Sequence, residues 1–321
     1  MPRRNRSLAV TAVIAASGMV VASCSSVQQN FESRPFEKTT AAVPTSVNQA
    51  RSENLNRFVD DAYPNKVQII AEDYGLDTVR EFFAQSRTLI VVENRAGAIA
   101  RGASIAIAQY APVVIYDRSV HRDINELIAD LNVERVLTVG RVGIADAKGA
   151  VEVFNDPGTD QALADFTAHE FEQIEVKDPA NLVHALSQLT PGGSQEVVAT
   201  WDPLETREHD KLPAVYAQSR RDKEMAPVMV ATNESPAISV ANATAFGAKV
   251  RVMSNPDPTH NFESLSMVAG LADGPLVAFG RQFGTEREFA HQIRVAELSA
   301  QRAEDTVKSE KKVSKGKSAN R

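Results

Sequence analysis

TLIVVENRAGAIARGASIAIAQYAPVVIYD, residues 88–117, decides the fold. A branched apolar run, Thr88–Val92, stops at Glu93-Asn94; an alanine-rich stretch follows, and Val113–Tyr116 is apolar again. Short branched runs without polar alternation are what strands covered on both faces require. Small residues between them let a helix lie close on a sheet, and strand–helix–strand order makes a parallel pair with a right-handed crossover. Working outward, the same rhythm predicts strands at Arg135–Val139, Val151–Phe154, Gln173–Val176, Glu196–Thr200, Val228–Ala231, Lys249–Met253 and Leu276–Phe279. Helices are expected at Ala98–Gln109, Ile124–Leu131, Asn181–Leu189, Ala237–Phe246 and Glu263–Leu271. The class is therefore α/β, with tandem Rossmann-like βαβ units and parallel sheets. A last amphipathic helix over Glu286 to about Arg302 carries Phe289, Ile293 and Leu298 as its buried stripe.

The pattern recurs in PVMVATNESPAISVANATAFGAKVRVMS, residues 227–254. Asn94 and Asn233 each end a first strand, and Gly140-Arg141 and Gly280-Arg281 each end a third. Such register over a βαβαβ unit reads as a duplication. On Glu93-Asn94, Ala111-Pro112-Val113-Val114-Ile115 and Val139-Gly140-Arg141-Val142-Gly143, the first copy resembles the type-2 cell-wall-binding repeats of Gram-positive surface proteins. That resemblance implies the same fold and non-covalent binding of a wall component. The chain departs from the family pattern where an aspartate usually follows the first turn, with Gly97 and Ala237 near that place. It departs again at the second glycine of the exit pair, which is Arg141 or Arg281. Residues 151–225 keep the strand–helix rhythm without the motifs, as a diverged unit or an insertion.

At the amino end Arg3, Arg4 and Arg6 precede an apolar run, Leu8–Ala22, which has the layout of a secretory signal and is short for a membrane span. Val21-Ala22-Ser23-Cys24 resembles a bacterial lipobox. The resemblance implies that Cys24 is acylated, by palmitate or a related chain, and becomes the first residue of a protein held at the outer face of the cell membrane. Cys24 is the only cysteine, so no thiol remains for a disulfide or a metal site. Loss of the leader takes the formal charge from −6 to about −9. That acidic body argues against nucleic acid as a partner. The expected division is a signal over 1–23, a linker over 24–50, a first α/β unit over 51–150, a middle region over 151–225, a second copy with its terminal helix over 226–300, and a basic tail over 301–321. The tail is expected to be disordered, either simply solvated or a polybasic patch for anionic lipid or an acidic wall polymer.

In open parallel sheets ligands bind outside the carboxyl ends of the strands. That rule selects Asn94, Asp117, Arg141, Trp201, Asp202, Asn233, Asn255 and Arg281 as candidate ligand-binding residues. Arg141 and Arg281 could hold a phosphate or carboxylate bidentately, or could form surface salt bridges or a contact between the copies. Trp201, the only tryptophan, stands beside Asp202, either to stack on a sugar or to pack inward. No Gly-x-Ser-x-Gly, phosphate loop or His-Glu-x-x-His occurs, and His169-Glu170, placed on a helix, has no second histidine in the next turn. No catalytic, cofactor or metal residue is therefore nominated. Asp60-Asp61 and Glu72-Asp73 read as solvated faces. The expected function is a membrane-anchored surface lipoprotein that binds an anionic wall polymer or an envelope protein. The alternative is a solute-binding lipoprotein that closes two lobes on a small ligand across a deep cleft.

Overall fold

A computed structural model of the chain describes residues 44–144, 151–218 and 225–318. The leader with Cys24, and the linker before Pro44, lie outside the described residues. In chain order the elements are α1 (Val47–Leu55), β1 (Val67–Ile70), α2 (Leu76–Phe82), β2 (Thr88–Glu93), α3 (Ala96–Gln109), β3 (Val113–Tyr116), α4 (His121–Asp130) and β4 (Arg135–Val139). They continue as β5 (Glu152–Asp156), α5 (Asp160–Thr167), β6 (Glu172–Val176), α6 (Leu182–Gln188) and β7 (Gln195–Ala199). The last are β8 (Val228–Ala231), α7 (Ala237–Phe246), β9 (Val250–Val252), α8 (Phe262–Val268), β10 (Leu276–Phe279) and α9 (Glu286–Ser318). Among these helices none is long and apolar enough to cross a membrane.

The strands make three sheets, all with parallel pairing. The first has the order β3-β2-β4-β5, the second β9-β8-β10-β1, and the third is the pair β6-β7. The first two orders are the same once β2, β3 and β4 are matched to β8, β9 and β10. The fourth strand of each comes from elsewhere. β5, from the 151–225 region, completes the first sheet, with Val139 opposite Asp156. β1, from the 51–150 region, completes the second, with Val67 opposite Leu276. The sheets therefore cut across the linear division of the chain. β1 escaped the sequence reading because it is four residues long and only its first residue is buried.

α3 and α7 lie together in the interior. All of α3 except Ala96 and Ile99 is buried, as is α7 from Ile238 to Phe246. A helix buried all round must be covered all round, which is why small residues dominate both, Ala and Gly in α3 and Ala in α7. At Gly102 a Cβ would lie 2.2 Å from Val92 Cγ1, so glycine is what lets α3 sit on β2. Asn242 of α7 is fully buried and treats the edge of the first sheet as a partner strand would. Its Oδ1 accepts the Val113 N–H at 2.9 Å, and its amide donates to Val113 O at 2.8 Å and Thr78 Oγ1 at 2.9 Å.

Four expectations are corrected. β5 and β6 are not covered on both faces: Glu152, Asn155, Glu172, Gln173 and Glu175 are exposed. His169 and Glu170 lie beyond the end of α5 at Thr167. Leu298 is 54% exposed, and Ala296 and Glu297 take the inward place. Glu297 is held there because it accepts from Arg51 Nη1 at 2.9 Å and from the Gly270 N–H. The span 301–321 is helical as far as Ser318, since its Lys, Glu, Ala and Ser residues are compatible with helix and Glu304 and Lys308 pair at i,i+4.

Candidate functional site

At the carboxyl edge of the first sheet, β2 ends at Glu93, β4 runs into Gly140-Arg141, and β5 ends at Asp156. Glu93 Oε2 accepts the Arg141 N–H at 2.9 Å, which fixes the exit of β4 against β2. A small crevice opens here, lined by the basic Arg95, Arg141 and Arg207, the acidic Glu93, Asp156 and Glu205, and by Gly140 and Asn155. Arg141 sends its guanidinium outward, 75% exposed, with Glu205 Oε1 3.5 Å away. An exposed pair at that distance holds about 0–1 kcal/mol, so the guanidinium is readily given up to an incoming anion. A second chamber of about 150 Å³ adjoins the crevice across Gly158 and Leu204, between α3 and β7.

Residues 201–218 form a strap over this edge. Its upper fastening is Asp202, whose carboxylate pairs with Arg95 and accepts the Gly97 N–H at 3.2 Å. The hydrogen bond from Arg95 is the main reason the Asp202 carboxyl lies below its ordinary range, and the Gly97 N–H adds to it. A Cβ on Gly97 would stand 2.1 Å from Asp202 O, so the strap can come this close only over glycine. Along its length Arg207 N donates to Pro157 O at 2.9 Å, Leu212 N to Asp165 Oδ2 at 3.0 Å, and Val215 N to Phe166 O at 2.9 Å. Its lower fastening is Tyr216, whose ring lies against the guanidiniums of Arg87 at 3.8 Å and Arg135 at 4.2 Å.

Beneath the strap lies a buried charge cluster. Arg101 of α3 donates through Nε to Asp156 Oδ2 at 2.8 Å and through Nη1 to Glu196 Oε1 at 2.8 Å. Nη2 reaches Thr159 O at 2.7 Å. Burial opposes the Arg101 charge, but the two carboxylates outweigh it and raise its pKa. These contacts join the first sheet to the third. Ser104 Oγ adds another link by accepting the Val197 N–H at 2.9 Å.

The second sheet ends differently. Gln282 turns its amide inward to Thr232 Oγ1 and Ser235 Oγ, both at 2.8 Å, and to Phe279 O at 3.1 Å. Ser235 Oγ also donates to Phe279 O at 2.6 Å. This network occupies the space between the ends of β8 and β10. Arg281 lies outside it and pairs with exposed Asp73 at 3.1 Å. Beside Asp73, Glu72 is half-buried rather than solvated; burial raises its pKa, and Oε1 accepts the Tyr74 N–H at 2.6 Å.

The sequence candidates therefore fall into three groups. Asn94, Asp117 and Arg141 follow strands of the first sheet; Trp201 and Asp202 follow β7 of the third, with Asp202 reaching the first edge through Arg95; and Asn233, Asn255 and Arg281 follow strands of the second. Asp117 is engaged locally: its Oδ1 accepts from Ser119 N at 2.8 Å and Ser119 Oγ at 2.5 Å, and these bonds lower its pKa. Asn255 is likewise engaged, accepting the Asp257 N–H at 2.9 Å. Asn94 and Asn233 are exposed, while Trp201 is partly buried against the core. Arg95, Arg101, Glu196 and Gln282 were not singled out by the sequence. Arg101 was legible in principle, as a lone charge in a helix otherwise built of small and apolar residues.

No family model matches the chain, and no curated protein matches it. Among solved structures it is similar to Cwp6 from Clostridium difficile, at 13% identity and a TM-score of 0.42. The match covers 72% of this chain and 48% of that one, so the chain spans about half the length of that structure.

Proposed function

We propose that this is a lipid-anchored envelope protein whose α/β body binds an anionic wall polymer non-covalently at the carboxyl edge of the first sheet. The observation that carries the reading is Arg141: an outward guanidinium, 75% exposed, at the mouth of a crevice in which Arg95, held by Asp202, and Arg207 stand against Glu93, Asp156 and Glu205. Arginine matches the planar geometry of phosphate and carboxylate, and the Glu205 contact it would surrender is weak. Binding consists of ion pairing and hydrogen bonding, with no bond made or broken. The buried α3–α7 contact and the Asn242 bridge favour docking on a fixed surface over closure of two lobes around a solute. The resemblance of Val21–Cys24 to a lipobox supports attachment through Cys24.

The test is retention of the unlipidated chain, from residue 25 onward, on isolated native wall and on wall stripped of its anionic polymers. Retention on native wall alone supports the reading. Equal retention on both, or none on either, overturns it. Fatty-acid incorporation that disappears in Cys24→Ala tests the anchor separately.

A further inference from the structure

The chamber between α3 and β7 has a charge balance of its own. Its wall sets one cation, Arg101, against two carboxylates, Asp160 and Glu196. In the adjoining crevice three arginines meet three carboxylates. Arg101 is fully engaged: Nε and Nη2 bond to Asp156, Nη1 to Glu196, and Nη2 also to Thr159 O. Gln173 supplies the other side-chain donor of the wall. Its amide is spent on the same acids, 3.2 Å from Asp160 Oδ1 and 3.4 Å from Glu196 Oε2.

The acceptors are not spent. A carboxylate has room for about four hydrogen bonds, and Asp160 Oδ2 receives none among the described residues. Glu196 is 5% exposed, and the single bond to its Oε2 is long. Val197 adds a backbone acceptor. Its N–H goes to Ser104 Oγ at 2.9 Å, away from β6, and in a strand the C=O of a residue points with its N–H. The rest of the wall includes apolar Val198, Ala199, Pro203 and Leu204. The chamber holds about 150 Å³, room for about five non-hydrogen atoms at the density of liquid water.

We infer that this chamber is a second binding site, for a primary ammonium group on a short alkyl chain. An ammonium has three donors and no acceptor, which answers a wall with spare acceptors and surplus negative charge. It lies between Asp160 and Glu196, with its chain against Val198 and Leu204. A metal ion suits the wall less well, because among the described residues no three of His, Cys, Asp or Glu stand together as ligands. Pro203 and Leu204 belong to the strap, just after its Asp202–Arg95 fastening, so the bound amine sits under the strap. The anion site uses Arg141, across Gly158 and Leu204, and the two sites are separate.

The probe is propan-1-amine, protonated at neutral pH. It is titrated calorimetrically into the chain from residue 25 onward, which keeps the compact unit Val43–Arg321 whole. Propan-1-ol and propionate, of the same length, are the controls. The expected result is saturable binding of the amine alone, with slower proteolytic cleavage of residues 203–208 in its presence. Glu196→Gln would also break the buried cluster, so the variants are made at Asp160 and Leu204. Asp160→Asn should weaken binding about tenfold. Leu204→Trp fills the chamber and should abolish it. Asp160 is exposed and Leu204 half-buried, so thermal unfolding of both variants should stay near that of the parent. No saturable binding of the amine overturns the inference, as does equal binding of propan-1-ol. Undiminished binding in both variants, or cleavage of 203–208 unaltered by the amine, places the amine elsewhere and overturns it too. No wall material enters the titration, so failure on isolated wall counts against the anion site alone.

Discussion

At the carboxyl edge of the first sheet, Glu93 accepts the Arg141 N–H and the space beside it stays open under a strap. At the matching edge of the second sheet, the Gln282 amide fills that space with bonds to Thr232, Ser235 and Phe279. One residue after each exit arginine, the first copy has Val142 and the second Gln282. Counting from Asn94 and Asn233, the interior helices diverge too: Arg101 corresponds to Val240, and Ala103 to Asn242. Strand order is set by apolar pattern, which both copies share. What each edge can hold is set by a few polar residues that carry little of the packing, and there the copies differ. The first copy invests its charged helix position in reaching the third sheet; the second invests its polar helix position in bracing the first.

The comparison breaks most readily at Arg101. Arg101→Met strands Asp156 and Glu196 without a cation in a buried site, and should cost about 3–5 kcal/mol in denaturant unfolding. A cost within about 0.5 kcal/mol would mean that the cluster is not what holds the third sheet to the first. Asn242→Ala comes next, because it leaves the Val113 N–H and C=O without their partner. We expect a loss of about 2–3 kcal/mol, and faster hydrogen exchange at Val113 than at Val250. Smallest is the strap fastening. Asp202→Asn removes the charge from the Arg95 contact and should cost about 1–2 kcal/mol at neutral pH. Since the folded Asp202 pKa is depressed, its contribution is present above the ordinary carboxylate range and is lost as pH falls through the lowered value. Limited proteolysis of residues 203–208 should therefore rise at acid pH in the parent, and should be raised already at neutral pH in Asp202→Asn.

Much of this fold was legible because strands such as Thr88–Val92 and Val228–Ala231 are buried runs of branched residues, and burial is what hydrophobic pattern encodes. β1 was missed for the converse reason: Gln68, Ile69 and Ile70 are only half-covered, so the segment lacks a continuous signal. The α9 extension was misread because composition rich in lysine marks solvation, which a projecting helix and a disordered tail share. The strand-end rule found Arg141 and Asp202 but could not separate the open edge from the filled one. That distinction depends on where the Gln282 amide turns, and on Asp202 meeting Arg95 across a long stretch of chain. Such meetings leave no local trace in a sequence.

The most direct measurement compares the affinity of Arg141→Ala and Arg281→Ala for native wall polymer, in the chain from residue 25 onward. An open first edge and a filled second one predict about a tenfold loss for Arg141→Ala, near 1.4 kcal/mol, and no change for Arg281→Ala. Equal losses for both, or a loss confined to Arg281→Ala, would contradict the assignment of the site to the first sheet.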